Sequence, residues 1–235
     1  MFSARFTLLR SMLKKLGWFY CATLGTSAVA LWAFVEVAEE AIEHETLGLN
    51  RAILLAIHRH ASPAGDALAL ALAAIGSLWG IVLVGALFGL WLCRRGRLLD
   101  AATLLAALTG GAVLTFVLKA AYQQARPEIF PRLAQKTTFS FPSGHASMSL
   151  CLYGFIGCWL IAQEPRALWR WGAASLCFGL AGLIGLSRLY LGVHWPTDVL
   201  AGVMIAVFWL TMCLAGRRWL SRRNPGSDAE DPVTA

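Results

Sequence analysis

Hydrophobic and polar positions alternate along this chain in long blocks. Uncharged apolar runs occupy 17–35, 67–93, 101–118, 146–163, 171–187 and 199–216. Each is close to the roughly 20 residues with which a helix crosses a bilayer. Helices of a large soluble core would carry polar faces between their apolar stripes, and these runs do not. The pattern predicts an all-α polytopic membrane protein with six transmembrane helices.

Segment 36–66 breaks the pattern. It opens with Glu36, Glu39, Glu40, Glu43 and Glu45, then sets Leu47, Leu49, Ile53, Leu54 and Ile57 near the helical period. His58, Arg59, His60 and a Ser-Pro break follow. The spacing predicts an amphipathic helix lying on the extracytoplasmic membrane surface, either as a flap that steers lipid or as a plain connector. His44, His58 and His60 lack the carboxylate or cysteine partners a metal site needs.

Composition sharpens this picture. Hydrophobic residues make up 58% of the 235, and charged residues only 14%, far from a soluble balance. The net charge of +7 does not point to nucleic acid, because Lys and Arg gather in short connectors and tails and not along one helical face. Cys21, Cys93, Cys151, Cys158, Cys177 and Cys213 lie in or at the ends of apolar runs. Without metal-like or CxxC spacing, they read as small packing residues. Arg5, Arg10, Lys14 and Lys15 precede the first run, as in a signal peptide with a cleavage site at Ala28-Val29-Ala30. The run continues to Val35, which favours an uncleaved anchor.

The expected organisation is a basic cytoplasmic segment 1–16, a six-span domain 17–216 and a cytoplasmic, disordered tail 217–235. With six spans, the N-terminus, loop 94–97, loop 164–170 and the tail share one side. Their basic residues mark it as cytoplasmic. The other side receives 36–66, 119–145 and 188–198. Lys119, Arg126, Arg132, Lys136 and Arg188 there run against the charge bias, and a broken local rule often marks a functional site.

Three stretches on that outer side carry the candidate chemistry. They are Lys119 with Arg126-Pro127, then Pro142-Ser143-Gly144-His145, then Arg188 with His194 and Asp198. Arginine forks pair two phosphate oxygens at once. Ser143 is placed to cap the helix that starts near His145, and Gly144 lets backbone N–H groups approach an anion at that helix start. Pro196 suits a first helical turn. Asp198 then falls in that turn, able to hold one nitrogen of His194 and leave the other to attack. Asp198 is the only carboxylate within the three stretches, so nothing there suggests Mg²⁺. Phosphate would be activated by cations and hydrogen bonds alone, with no cofactor.

Lys119-x6-Arg126-Pro127, Pro142-Ser143-Gly144-His145 and Ser187-Arg188-x5-His194-x3-Asp198 resemble the three signature motifs of the type-2 phosphatidic acid phosphatase (PAP2) superfamily, with every position filled. The resemblance implies an integral membrane, metal-independent lipid phosphatase. His194 would be the nucleophile, Asp198 its orienting partner and His145 the acid for the leaving group. Lys119, Arg126, Ser143, Gly144 and Arg188 would hold the phosphoryl oxygens. Candidate substrates are undecaprenyl pyrophosphate, phosphatidylglycerol phosphate and phosphatidic acid, met at the periplasmic face of a bacterial inner membrane. The alternatives are a lipid A phosphatase or phosphotransferase, because water and a hydroxyl attack the same intermediate, and a phosphate-lipid binding or transport protein. A soluble vanadium haloperoxidase shares the motif logic but not the six membrane-length runs. Phe139, Phe141, Tyr190 and Trp195 are candidates to line a lipid entrance. The motifs leave oligomeric state open.

Overall fold

The computed structural model describes residues 2–43, 46–130 and 138–223. His44, Glu45, Pro131, Arg132, Lys136 and the tail from Asn224 lie outside the described residues, and so do the expectations attached to them. The described residues form helices α1 (Phe2–Glu43), α2 (Leu47–His58), α3 (Pro63–Ile75), α4 (Leu78–Arg94), α5 (Leu98–Tyr122), α6 (Gly144–Gln163), α7 (Leu168–Tyr190) and α8 (Pro196–Arg223), with no strand among them.

The segment Gly17–Ala41 of α1, together with α5, α6, α7 and α8, gives five helices long and apolar enough to cross a bilayer. Helices α3 and α4 make a sixth span that is bent by 53°. Large apolar side chains point outward from the bundle. Phe116 of α5 and Leu176 of α7 are 74% and 76% exposed, an arrangement that costs little only where the surroundings are hydrocarbon. The chain is an integral membrane protein.

The run 67–93 is therefore two helices and not one. The break falls at Gly76-Ser77. Ser77 caps α4 by accepting the Gly80 N–H at 3.2 Å. Gly76 lies so close to α7 that a Cβ on it would stand 2.3 Å from Ile184 Cγ2. Segment 36–66 also differs from a single surface helix. Residues 36–43 continue α1, and the separate helix α2 follows. Asn50 of α2 is buried and donates to Thr197 Oγ1 at the start of α8, 3.2 Å away. Ser62 and Pro63 then start α3 with a side-chain cap to the Gly65 N–H.

Helix α1 packs along α8, with Ser27 Oγ and Thr211 Oγ1 2.6 Å apart. The main core joins α5, α6, α7 and α8 through Leu104, Leu152, Ile184 and Leu210. A second cluster, Phe34, Phe141, Ala201 and Ile205, lies beneath the connector that follows α5.

Charged groups separate to the two ends of the bundle. At one end Asp100, buried at the start of α5, accepts from Arg97 Nε at 2.6 Å, from Trp159 Nε1 at 2.9 Å and from Arg217 Nε. That network ties loop 94–97 to the ends of α6 and α8. Lys119, connector residues 123–130 and 138–143 and the start of α8 meet at the other end. Among the described residues, loop 94–97 and the end of α6 thus lie at one end of the bundle, and Lys119 with the start of α8 at the other.

Candidate active site

The end of α5, the start of α6 and the start of α8 converge through the connectors. Ser143 N donates to the Asp198 carbonyl at 2.9 Å, which locks the first turn of α8 to the entrance of α6. Gly202, one turn further along α8, leaves no space: a Cβ there would stand 2.6 Å from Ser143 O. The two histidine-bearing helix starts are therefore neighbours on one side of the bundle.

Pro196 occupies the first position of α8, and Asp198 falls in its first turn. Asp198 is fully buried, and its Oδ2 gathers several donors. It accepts the Trp195 N–H at 2.8 Å and faces His194 Nδ1 at 3.1 Å. It also accepts the Ser140 hydroxyl. Arg126 Nη1 approaches the other imidazole nitrogen, Nε2, at 3.3 Å. Arginine only donates, so Nε2 is the acceptor and Nδ1 carries the proton toward Asp198. Burial pushes the His194 pKa down to about 4, against the raising effect of Asp198 and with some help from the nearby cations Arg126 and Lys119. The imidazole is neutral at pH 7, with Nε2 unprotonated.

The three cations differ in what they hold. Lys119 Nζ donates to the carbonyls of Phe139 and Ser140 at 2.7 and 3.0 Å. Arg126 donates to Val193 O at 2.6 Å, to Thr138 O at 2.8 Å and to Phe139 O at 3.1 Å. Lys119 thus ties the connector to the end of α5, and Arg126 ties it to the loop that carries His194. Arg188 is 1% exposed, and its Nε and Nη2 have no hydrogen-bond partner among the described residues. A buried guanidinium with unspent donors is costly and is suited to an anion.

Ser143 stands at the position before α6, but its hydroxyl does not cap the helix. The first α6 bond runs from Ser147 N to the Ser143 carbonyl, and Ser143 Oγ is buried without a partner among the described residues. The expected cap is corrected on this point. The helix is held by backbone, and the hydroxyl remains unspent. Gly144 opens α6, and a Cβ there would make only ordinary contact, 3.5 Å from Thr115 Cγ2. His145 follows, half-buried, with its ring beside Gly76. The structure thus brings all eight expected site residues to one end of the bundle.

Sequence reasoning missed several supports. Ser140 holds Asp198, and Asn50 reaches Thr197 from α2. Phe130 is stacked on His58, centroids 4.0 Å apart, and lies against Gly192, whose φ is +68°. Tyr190, weighed as a lipid-entrance residue, instead bridges to α3. Its hydroxyl donates to Asp66 Oδ1 at 2.9 Å and accepts the Ser62 N–H at 3.0 Å. Trp195 Nε1 donates to Ala125 O at 3.1 Å. Ser140 lies two residues before Pro142, but its bond to Asp198 spans 58 residues of chain and left no local signal. The others depend on long-range contacts too.

The chain belongs to the PAP2 superfamily, whose sequence profile matches residues 100–222. It is 34% identical over 128 residues to phosphatidylglycerophosphatase B of Bacillus subtilis (strain 168), covering 54% of this chain and 61% of that one. It is 38% identical over 69 residues to undecaprenyl-diphosphatase of Sulfolobus acidocaldarius, covering 29% of each. The matched segments thus span less than two thirds of these curated relatives. Among solved structures, a transmembrane PAP2-type phosphatidylglycerolphosphate phosphatase from Bacillus subtilis superposes with a TM-score of 0.74 at 25% identity, over 84% of this chain and 98% of that one. Aquifex aeolicus LpxE superposes with a TM-score of 0.56 at 28% identity, over 71% of this chain and 94% of that one.

Proposed function

We propose that this protein dephosphorylates a membrane lipid phosphate or pyrophosphate without a metal, through a phosphohistidine. The candidate substrates are undecaprenyl pyrophosphate, phosphatidylglycerol phosphate and phosphatidic acid. The observation that carries this reading is the state of His194. Its Nδ1 is held by a buried carboxylate, and its Nε2 is neutral beside an arginine, a nucleophile already oriented. Arg188 adds unspent guanidinium donors, and Ser143 adds an unspent hydroxyl.

The step balances as follows. His194 Nε2 forms a bond to phosphorus while the bond from phosphorus to the leaving oxygen breaks, the lipid oxygen of a monophosphate or the bridging oxygen of a pyrophosphate. His145 gives that oxygen its proton. Water then attacks the phosphohistidine as His145 takes the water's proton, and the P–N bond breaks to release phosphate. Asp198 stabilises the positive charge that grows on His194. Lys119, Arg126, Ser143, Gly144 and Arg188 stabilise the charge that develops on the phosphoryl oxygens. Basic residues on loop 94–97, on loop 164–170 and at the end of α8 support a cytoplasmic location for that end, which would put the site at the periplasmic face.

Phosphate release from the three lipids in detergent with EDTA tests this reading. Release that survives chelation and disappears in His194→Ala supports it. Activity that requires an added divalent ion, or that persists in His194→Ala, refutes it. A labelled phosphohistidine trapped after brief exposure to substrate separates hydrolysis from binding or transport, which leave none.

A further inference from the structure

Ser140 lies outside the three motif stretches, yet it touches two parts of the site at once. It is fully buried. Its backbone N–H donates to Gln124 O at 2.8 Å, which fixes the residue in the connector. Its carbonyl accepts from Lys119 Nζ at 3.0 Å. Its hydroxyl donates to Asp198 Oδ2 and lies 3.4 Å from His194 Nδ1. A hydroxyl has one proton to give, and here it goes to the carboxylate.

An aspartate beside a histidine swings about its own side-chain torsions unless something holds it. Two donors besides the imidazole converge on Asp198 Oδ2: the Trp195 N–H, which comes from the same turn, and Ser140, which comes from a different part of the chain. The serine is therefore the group that ties the orientation of the couple to the connector carrying Arg126.

On the reading of the site given above, we propose that Ser140 is a positioning residue. It clamps the Asp198 carboxylate so that His194 presents Nε2 to phosphorus, and it links that clamp to Lys119. Ser140 touches neither the substrate nor the reacting atoms. Without its hydroxyl, the orientation of His194 relaxes while the phosphate-holding cations stay in place. The carboxylate, freed of one donor, also becomes a stronger acceptor for the imidazole N–H. That makes His194 more basic.

The test compares wild type, His194→Ala, Ser140→Ala, Ser140→Gly, Asp198→Asn and Ser140→Ala/Asp198→Asn, assayed as full-length protein in detergent with phosphatidylglycerol phosphate and phosphatidic acid. The glycine variant removes the hydroxyl without adding volume and stands in if the alanine variant does not fold. The expected result is a fall in kcat of about ten- to a hundredfold with KM within about twofold, and an acid limb of the kcat/KM profile displaced to higher pH. The double variant is expected to be no slower than Asp198→Asn alone, because both changes break one unit. Losses that multiply in the double variant, or a KM that rises with kcat unchanged, overturn the assignment while leaving the phosphatase reading intact. Turnover that survives in His194→Ala overturns both.

Discussion

Gly76→Ala gives the sharpest test of how the fold serves the site. Gly76 has φ −84°, a conformation any residue adopts, so the substitution carries no backbone strain and acts by volume alone. The new methyl carbon would stand 2.3 Å from Ile184 Cγ2 and 3.1 Å from Ser149 Oγ. The first contact is far inside van der Waals distance. Ile184 is 0% exposed, and its γ-methyl branches directly from Cβ, so it has no flexible end with which to yield. Relief must come from moving α7 or the bend between α3 and α4. Overpacking of this kind costs about 1–3 kcal/mol. The same methyl would lie 3.5 Å from His145 Cδ2, so any shift of the bend reaches the proposed acid. The assay is thermal unfolding in detergent together with phosphate release. Gly76→Ala should unfold earlier and lose activity. Ile184→Leu alone should cost less than about 1.5 kcal/mol, and because leucine has no β-branch, the double variant should recover part of the Gly76→Ala loss. A Gly76→Ala protein within about 0.5 kcal/mol of wild type, or strictly additive effects in the double variant, would refute the steric argument.

Further predictions concern the rest of the site and the far end of the bundle. Asp198→Asn should keep the fold but lower kcat by on the order of a hundredfold or more, since an amide does not stabilise an imidazolium; steady-state kinetics check this. His194 is neutral in the fold, with its pKa lowered to about 4 by burial, whereas in the unfolded chain it titrates near 6.5. Its contribution to stability is therefore complete above about pH 6.5 and is lost as pH falls toward 4, by about 3 kcal/mol in total. Unfolding midpoints measured across that window should fall more steeply for wild type than for His194→Gln. Asp100→Asn should lower stability by about 3 kcal/mol, because it leaves Arg97 and Arg217 facing an uncharged partner, with KM for lipid within about twofold; calorimetry and kinetics read the two arms. Gly192→Ala should impair both folding and turnover, since the position has φ +68° and a Cβ would meet Phe130 Cε2 at 2.5 Å. An unfolding midpoint and a kcat equal to wild type would contradict this.

Much of this protein was legible in its sequence for a simple physical reason. A bilayer imposes one length and one polarity on every span, so six apolar runs without charges specify helices before any packing is known. The grouping of the candidate site residues was legible for a related reason, the cost of charge beside hydrocarbon. Cations, imidazoles and a carboxylate grouped at span ends need a use there, and their spacing fixed which belonged to a helix start. Pro196 and Asp198 show this directly, because proline geometry and a first-turn acid are local properties of α8.

Contacts between segments far apart in the chain were decided only by the tertiary structure. At the bend, α7 passes too close to Gly76 for a side chain. No local pattern encodes the position of Ile184. Ser143 lies where a cap is expected, yet its hydroxyl is left over, while its N–H donates to the Asp198 carbonyl and its own carbonyl accepts the Ser147 N–H. The continuation of α1 through Glu36, Glu39, Glu40 and Glu43 overrode a charge pattern that reads as a surface segment. Ser140 and Asn50 became part of the site only once the connector and α2 folded against α8. Periodicity and capping are written in neighbours along the chain, whereas the partners of a buried hydroxyl or amide are set by the one packing that satisfies all of them together.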